Sequence, residues 1–249
     1  MLERRGIDPE PLFREAGLDP GKRNNPLARY PAEPARQVWS LVSKVLDDPG
    51  FGLTIAQAWQ PSDFHALGCA FMASTTLRDA LHRVLRYNAV VYGLVSYSFC
   101  EQDDRAILSY SAEQGAVGET PILEDTRWTV ILDACRRVYG EDLDPLEVTF
   151  MHPAPDSGMD QFSRYFRCPL RFGQPVARMT FAAEVLDRPL PASNRELALT
   201  LDRTLSEYLA KLQHDDIVSR TKSVISDYLP SGSFTDKMVA DALQMSSRT

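Results

Sequence analysis

The chain has 249 residues, 44% of them apolar and 24% charged, which is ample material for a packed core. Its formal charge of −7 excludes a chain mainly built to grip phosphates, because nucleic-acid-binding domains are usually basic. No apolar run nears the roughly 20 residues needed to cross a bilayer, and the opening MLERRGIDPEP lacks the apolar core of a secretory leader. No membrane partner is expected, and the expected setting is the cytoplasm.

Turn signals fill residues 1–30: GIDPEP, GLDPGK and RNNP leave room for a short helix near Leu12 to Ala16. Glu33 to Leu46 reads as an amphipathic helix with Val38, Leu41, Val42 and Val45 on one side. DDPGFG breaks it, and Phe51 to Trp59 reads as a second helix. Leu67 to Ala73 is small and apolar. Ser74 and Thr75 are the expected caps of a helix over Leu77 to Tyr92.

The period then changes from 3.6 to 2. LVSYSFCEQ and RAILSYSAE alternate apolar with polar around a QDD turn, the pattern of a β-hairpin. Glu124 to Tyr139 returns to helix and stops at Gly140. PLEVTFMHPAP reads as a strand, Met159 to Phe166 as a short helix, and LRFGQ and VARMTFA as short strands. Two further helices are expected, from Asn194 to about His214 and from Ile217 to Leu229.

The last stretch, FTDKMVADALQMSSRT, has Thr235 and Asp236 as caps and an apolar face of Met238, Val239, Ala242 and Leu243. A short turn and a second cap at Ser246 follow, which is the layout of a helix-turn-helix. The order of elements predicts an α+β fold: an antiparallel sheet with flanking helices, followed by a helical segment from about residue 216.

The sequence holds no G-x-S-x-G, P-loop, G-x-G-x-x-G or H-E-x-x-H, so no enzyme activity is expected. Cys69, Cys100, Cys135 and Cys168 are scattered without a C-x-x-C and read as free thiols; no metal and no cofactor is expected. His65, His82, His152 and His214 have no ligand spacing among themselves. His65 and His152 are candidates for a pocket mouth. Aromatic residues gather in the middle of the chain, and Tyr87, Tyr92 and Trp128 lie there among Arg86, Asp125 and Arg127. An apolar pocket with a few polar groups suits a small molecule, and these charges suit an acidic or amino-acid-like one. The ligand-binding candidates are therefore His65, Arg86, Tyr87, Tyr92, Asp125, Arg127, Trp128 and His152. A stand-alone sensor of a small molecule or of haem, with His65 or His82 as the ligand, is the alternative reading.

VADALQMSSRT resembles the start of the first helix-turn-helix of AraC/XylS-type transcriptional regulators. Val239, Ala240, Leu243, Met245, Ser246, Arg248 and Thr249 fit that pattern, whereas Gln244 stands where the family often has glycine. GLDP, DDPGFGLTIAQ, DFHALGCAFMASTTLRDAL, VTFMHPAP, YFRCPLRFG and DRPLP resemble the subgroup whose N-terminal part is called arabinose-binding-like. The resemblance implies a ligand-responsive regulator, in the main an activator, sensing a small-molecule effector through residues 1–215. Residues 216–249 would open a DNA-binding domain that is cut inside its first helix-turn-helix. It further implies a homodimer, and DNA contact by Ser246, Ser247, Arg248 and Thr249 in the full-length protein alone.

Overall fold

The computed structural model describes residues 1–25, 30–46, 48–91, 95–112, 120–228, 235–243 and 245. Tyr92, Ser246, Ser247, Arg248 and Thr249 lie outside the described residues. The chain forms two compact units, Met1–Asp202 and Arg203–Thr249.

The first unit begins with α1 (Glu10–Glu15) and α2 (Ala32–Val45), followed by α3 (Phe51–Thr54), which tightens into a 3₁₀ turn over Ile55–Gln57. Leu12, Leu18, Val38, Leu41, Val42, Phe51 and Ile122 form a small core of their own. Next come α4 (His65–Met72), α5 (Leu77–Val91), β1 (Val95–Gln102) and β2 (Arg105–Ala112). The small apolar stretch after Phe64 is thus a helix, which its composition alone did not suggest. The caps of α5 also differ from expectation. Thr76 Oγ1, not Ser74 or Thr75, accepts from the Asp79 N–H at 3.1 Å, while the Ser74 hydroxyl donates to the Ala70 carbonyl.

After the hairpin come α6 (Pro121–Tyr139), β3 (Glu147–Thr149), α7 (Met159–Phe166), β4 (Leu170–Arg171) and β5 (Ala177–Ala182). Thr120 caps α6 through its side chain, and Gly140 ends it. The five strands make one sheet in the order β1-β2-β5-β3-β4. The expected α+β class with an antiparallel sheet and flanking helices stands, with one parallel pair, Val148 against Leu170, between β3 and β4. The hairpin register pairs Gln102 with Arg105 across a two-residue turn, where Asp103 takes φ 55°, a backbone conformation that Asp tolerates.

Period-2 alternation puts Val95, Tyr97, Leu108, Tyr110, Ala177, Met179 and Val148 on the sheet's inner face. Trp128, Leu132 and Cys135 of α6 join them in the same core, and all three are fully buried. Trp128 also donates its indole N–H to the Thr149 carbonyl at 3.3 Å. α6 meets α3 on another side, and Gly52 makes that approach possible. A Cβ there would lie 2.5 Å from the Asp125 Cβ and 3.0 Å from the Ile122 carbonyl.

α8 (Arg195–Tyr228) is one helix where two were expected. No glycine or proline lies between His214 and Ile217, so nothing in the backbone interrupts the i→i−4 ladder. In the second unit, α9 (Asp236–Ala242) starts where the sequence predicts: Thr235 accepts from the Met238 N–H at 3.3 Å, and Val239 and Leu243 are buried.

Candidate functional site

A cavity of about 80 Å³ lies between α4, α5, β1 and α6. Leu67 and Phe71 of α4 line it, with Val84 and Val91 of α5, Tyr97 of β1, and Leu123, Val130 and Ile131 of α6. Trp59 and Phe64 also line it, their rings meeting edge to face at 5.5 Å. Trp59 is fixed by its indole N–H donating to Asp133 Oδ2 at 2.7 Å and by the Arg137 guanidinium lying 4.6 Å from its ring centroid. Gly68 brings α4 close to the preceding turn. A Cβ there would sit 2.0 Å from the Pro61 carbonyl oxygen.

The polar lining is sparse. Thr126 spends its hydroxyl proton on the Ile122 carbonyl at 2.7 Å, and Asn88 donates its side-chain amide to the Val95 carbonyl. Arg127 is the charged side chain among the described lining residues. It is 6% exposed, and its guanidinium lies 5.0 Å from the ring centroid of Tyr110, which in turn meets Tyr97 edge to face at 5.9 Å.

The other candidates fall elsewhere. Trp128 is fully buried in the main core and does not line the cavity. Tyr87 is buried and donates its hydroxyl to the Asp202 carbonyl at 3.2 Å. Arg86 is exposed and lies over the Tyr87 ring at 5.5 Å. His65 is exposed and opens α4 with φ 52°, beside the cavity residues Phe64 and Leu67. His82 is exposed and packs edge-on to Phe99 at 5.5 Å.

Asp125 and His152 come together in a second, buried cluster. His152 Nε2 lies 3.0 Å from Asp125 Oδ1, and its Nδ1 lies 2.7 Å from the Pro153 carbonyl oxygen. Because that carbonyl can only accept, Nδ1 carries a proton, and the Asp125–His152 pair holds a second one between them. Glu124 completes the cluster, accepting from the Met151 N–H at 2.7 Å and the His152 N–H at 3.3 Å. Burial pushes both carboxyl groups above their ordinary range, against the hydrogen bonds they accept. Burial opposes charge on His152, but the Asp125 hydrogen bond and the charges of Asp125 and Glu124 outweigh it and raise its pKa. The cluster ties the turn after β3 to the first turns of α6. Glu124 was missed in sequence because a charged residue in a helix reads as solvated.

A larger opening of about 530 Å³ lies among the N-terminal helices, lined by Leu2, Phe13, Tyr30, Trp39 and Phe51. Among the described residues lining it, the charged side chains Arg23 and Glu3 pair with each other at 3.0 Å. Among the described residues, no group of three His, Cys, Asp or Glu side chains is placed to hold a metal. No described helix is long and apolar enough to cross a membrane.

The family model described as the arabinose-binding domain of AraC transcription regulators, N-terminal, matches residues 6–190. The chain belongs to that family. Its AraC-type N-terminal domain therefore spans the sheet, the cavity and the buried cluster. The crystal structure of the transcriptional regulator CdpR from Pseudomonas aeruginosa is similar in fold, with a TM-score of 0.57 at 13% sequence identity. The match covers 97% of this chain and 77% of that one. No curated protein matches the sequence.

Proposed function

We propose that this AraC-type chain is the effector-sensing part of a ligand-responsive transcription regulator, and that the cavity between α4, α5, β1 and α6 receives the effector. The observation that carries this reading is an apolar cavity with one buried cation, Arg127, among the described residues of its wall, the composition expected of a small-molecule site. Residues from the regions expected to build a pocket, α5, the hairpin and α6, converge on it. Residues 1–215 act as the sensing and dimerisation part, and residues 216–249 begin the DNA-binding part.

An effector shifts a regulator only by its differential affinity for two arrangements. α5 is suited to pass on occupancy. One face of it carries Val84, Asn88 and Val91 on the cavity, and the same helix carries Arg83 and Tyr87, which hold Asp202 in α8. α8 continues to Tyr228, ahead of the α9 segment that resembles a helix-turn-helix. In the full-length protein, Ser246, Ser247, Arg248 and Thr249 would contact DNA.

The test is a small-molecule screen by thermal shift on the chain and on Ala134→Leu, which fills the cavity with a side chain already at its wall. Effectors that act through the cavity raise the wild-type Tm and lose that effect in Ala134→Leu. Equal stabilisation of both proteins would place the site elsewhere. A promoter-reporter assay on the full-length gene then tests the regulatory response.

A further inference from the structure

We infer that the guest of the cavity is a small uncharged aliphatic molecule, held by its hydrocarbon surface among Phe71, Val84, Val130 and Ile131. This inference rests on the sensing role proposed above and names the chemical class that role would serve. The class differs from the acidic or amino-acid-like ligand that the charged residues of this region suggest in sequence.

The charges that would hold an ionic ligand are committed within the protein. Asp125 does not line the cavity and meets His152 at 3.0 Å in the buried cluster. Arg86 is exposed, lies over the Tyr87 ring and does not line the cavity either. Arg127 does line it, but its guanidinium lies 5.0 Å from the centroid of the Tyr110 ring, whose face attracts a cation. No carboxylate stands among the described lining residues, so an ammonium group would enter without a counter-charge and near a buried guanidinium.

The neutral polar groups of the wall are engaged in the same way. The Trp59 indole N–H donates to Asp133, the Thr126 hydroxyl to the Ile122 carbonyl and the Asn88 amide to the Val95 carbonyl. A carboxylate or a polyol would give up its water on entry and compete for donors that these bonds already use. An aliphatic guest gives up no hydrogen bond, and it gains from every apolar surface it covers, which is what Leu67, Phe71, Val91 and Ile131 present. Size narrows the class further. A volume of about 80 Å³ is smaller than the engineered apolar cavity of ~150 Å³ that holds benzene, so the guest is compact and without bulky rings.

Isobutane, isobutyrate and isobutylammonium share a branched hydrocarbon tip and differ in charge, and they make the test by NMR titration and thermal shift on the 249-residue chain. Isobutane should raise the Tm and bind about tenfold or more tightly than either ion, because a buried charge without partners is costly. Ala134→Leu should abolish isobutane binding; should it not fold, Val84→Phe, at a partly exposed lining position, fills the cavity instead. An ion that binds the wild type as tightly as isobutane, and is lost in the filled variant, would overturn the uncharged class and leave the cavity reading standing. Failure of all three probes to bind, or equal binding of isobutane by the wild type and the filled variant, would overturn the inference and count against the cavity.

Discussion

Arg83 holds Asp202 in a two-pronged contact, with Nε to Oδ1 at 3.0 Å and Nη2 to Oδ2 at 2.9 Å. The remaining Arg83 nitrogen donates to the Ser74 hydroxyl at 3.0 Å, so one side chain joins the turn before α5, α5 itself and the start of α8. Both partners are partly buried, with side-chain exposures of 14% and 23%, which moderates the screening that makes surface pairs weak. Arg83→Gln and Asp202→Asn should each cost about 1.5–3 kcal/mol in urea unfolding. A double-mutant cycle should show clear coupling between them, of about 1 kcal/mol or more; additive losses would mean the contact contributes nothing to folding.

The buried cluster predicts a pH dependence. His152 has its pKa raised on folding, so the folded protein binds more protons than the unfolded chain above pH ~6.5. Its contribution is therefore fully present below about 6.5 and lost as pH rises through the folded value. The raised Asp125 and Glu124 carboxyls act in the same sense at lower pH, each losing its contribution as pH climbs from about 4. Urea midpoints from pH 6 to 9 should fall more steeply for the wild type than for His152→Gln. Parallel curves would show that His152 has no linked proton.

Gly68 leaves no room for a methyl group, since the Pro61 carbonyl oxygen would be 2.0 Å from it and cannot swing away like a side-chain end. Gly68→Ala should destabilise by about 1–3 kcal/mol, the usual cost of overpacking, and should also displace α4 at the cavity wall. A stability unchanged within error would show that the turn over Pro61–Phe64 yields freely.

The four cysteines should differ sharply toward a thiol reagent. Cys69 and Cys100 are exposed, whereas burial pushes the Cys168 thiol up to about 11 and the Cys135 thiol up to about 12. Native protein should react quickly at Cys69 and Cys100, slowly at Cys168, and at Cys135 only after unfolding. Mass mapping of a timed labelling reaction reads this order, and early labelling of Cys135 would contradict the packing of α6.

Local chemistry determined much of this protein in advance. The hairpin was legible because alternation, a QDD turn and two-residue register are properties of neighbouring residues. The Thr235 cap of α9 was legible for the same reason: a side-chain oxygen three residues from a free N–H makes its bond with no help from the rest of the fold. Arg127, a candidate from sequence, lies in the cavity wall beside residues that the sequence did not group with it.

Tertiary structure decided what sequence spacing does not encode. Glu124, Asp125, Arg127 and Arg136 look like the wet face of a helix, yet all are buried because the sheet and other helices surround α6. Their burial is tolerable because partners arrive from far along the chain. His152 and the Met151 N–H meet Asp125 and Glu124, and the Leu143, Tyr165 and Phe166 carbonyls meet Arg136. A buried charge costs little only with such partners in place, and which residues become partners is fixed by the folded chain. The same holds for the cavity, whose walls come from four elements that only the packing of α4, α5 and α6 on the sheet brings together.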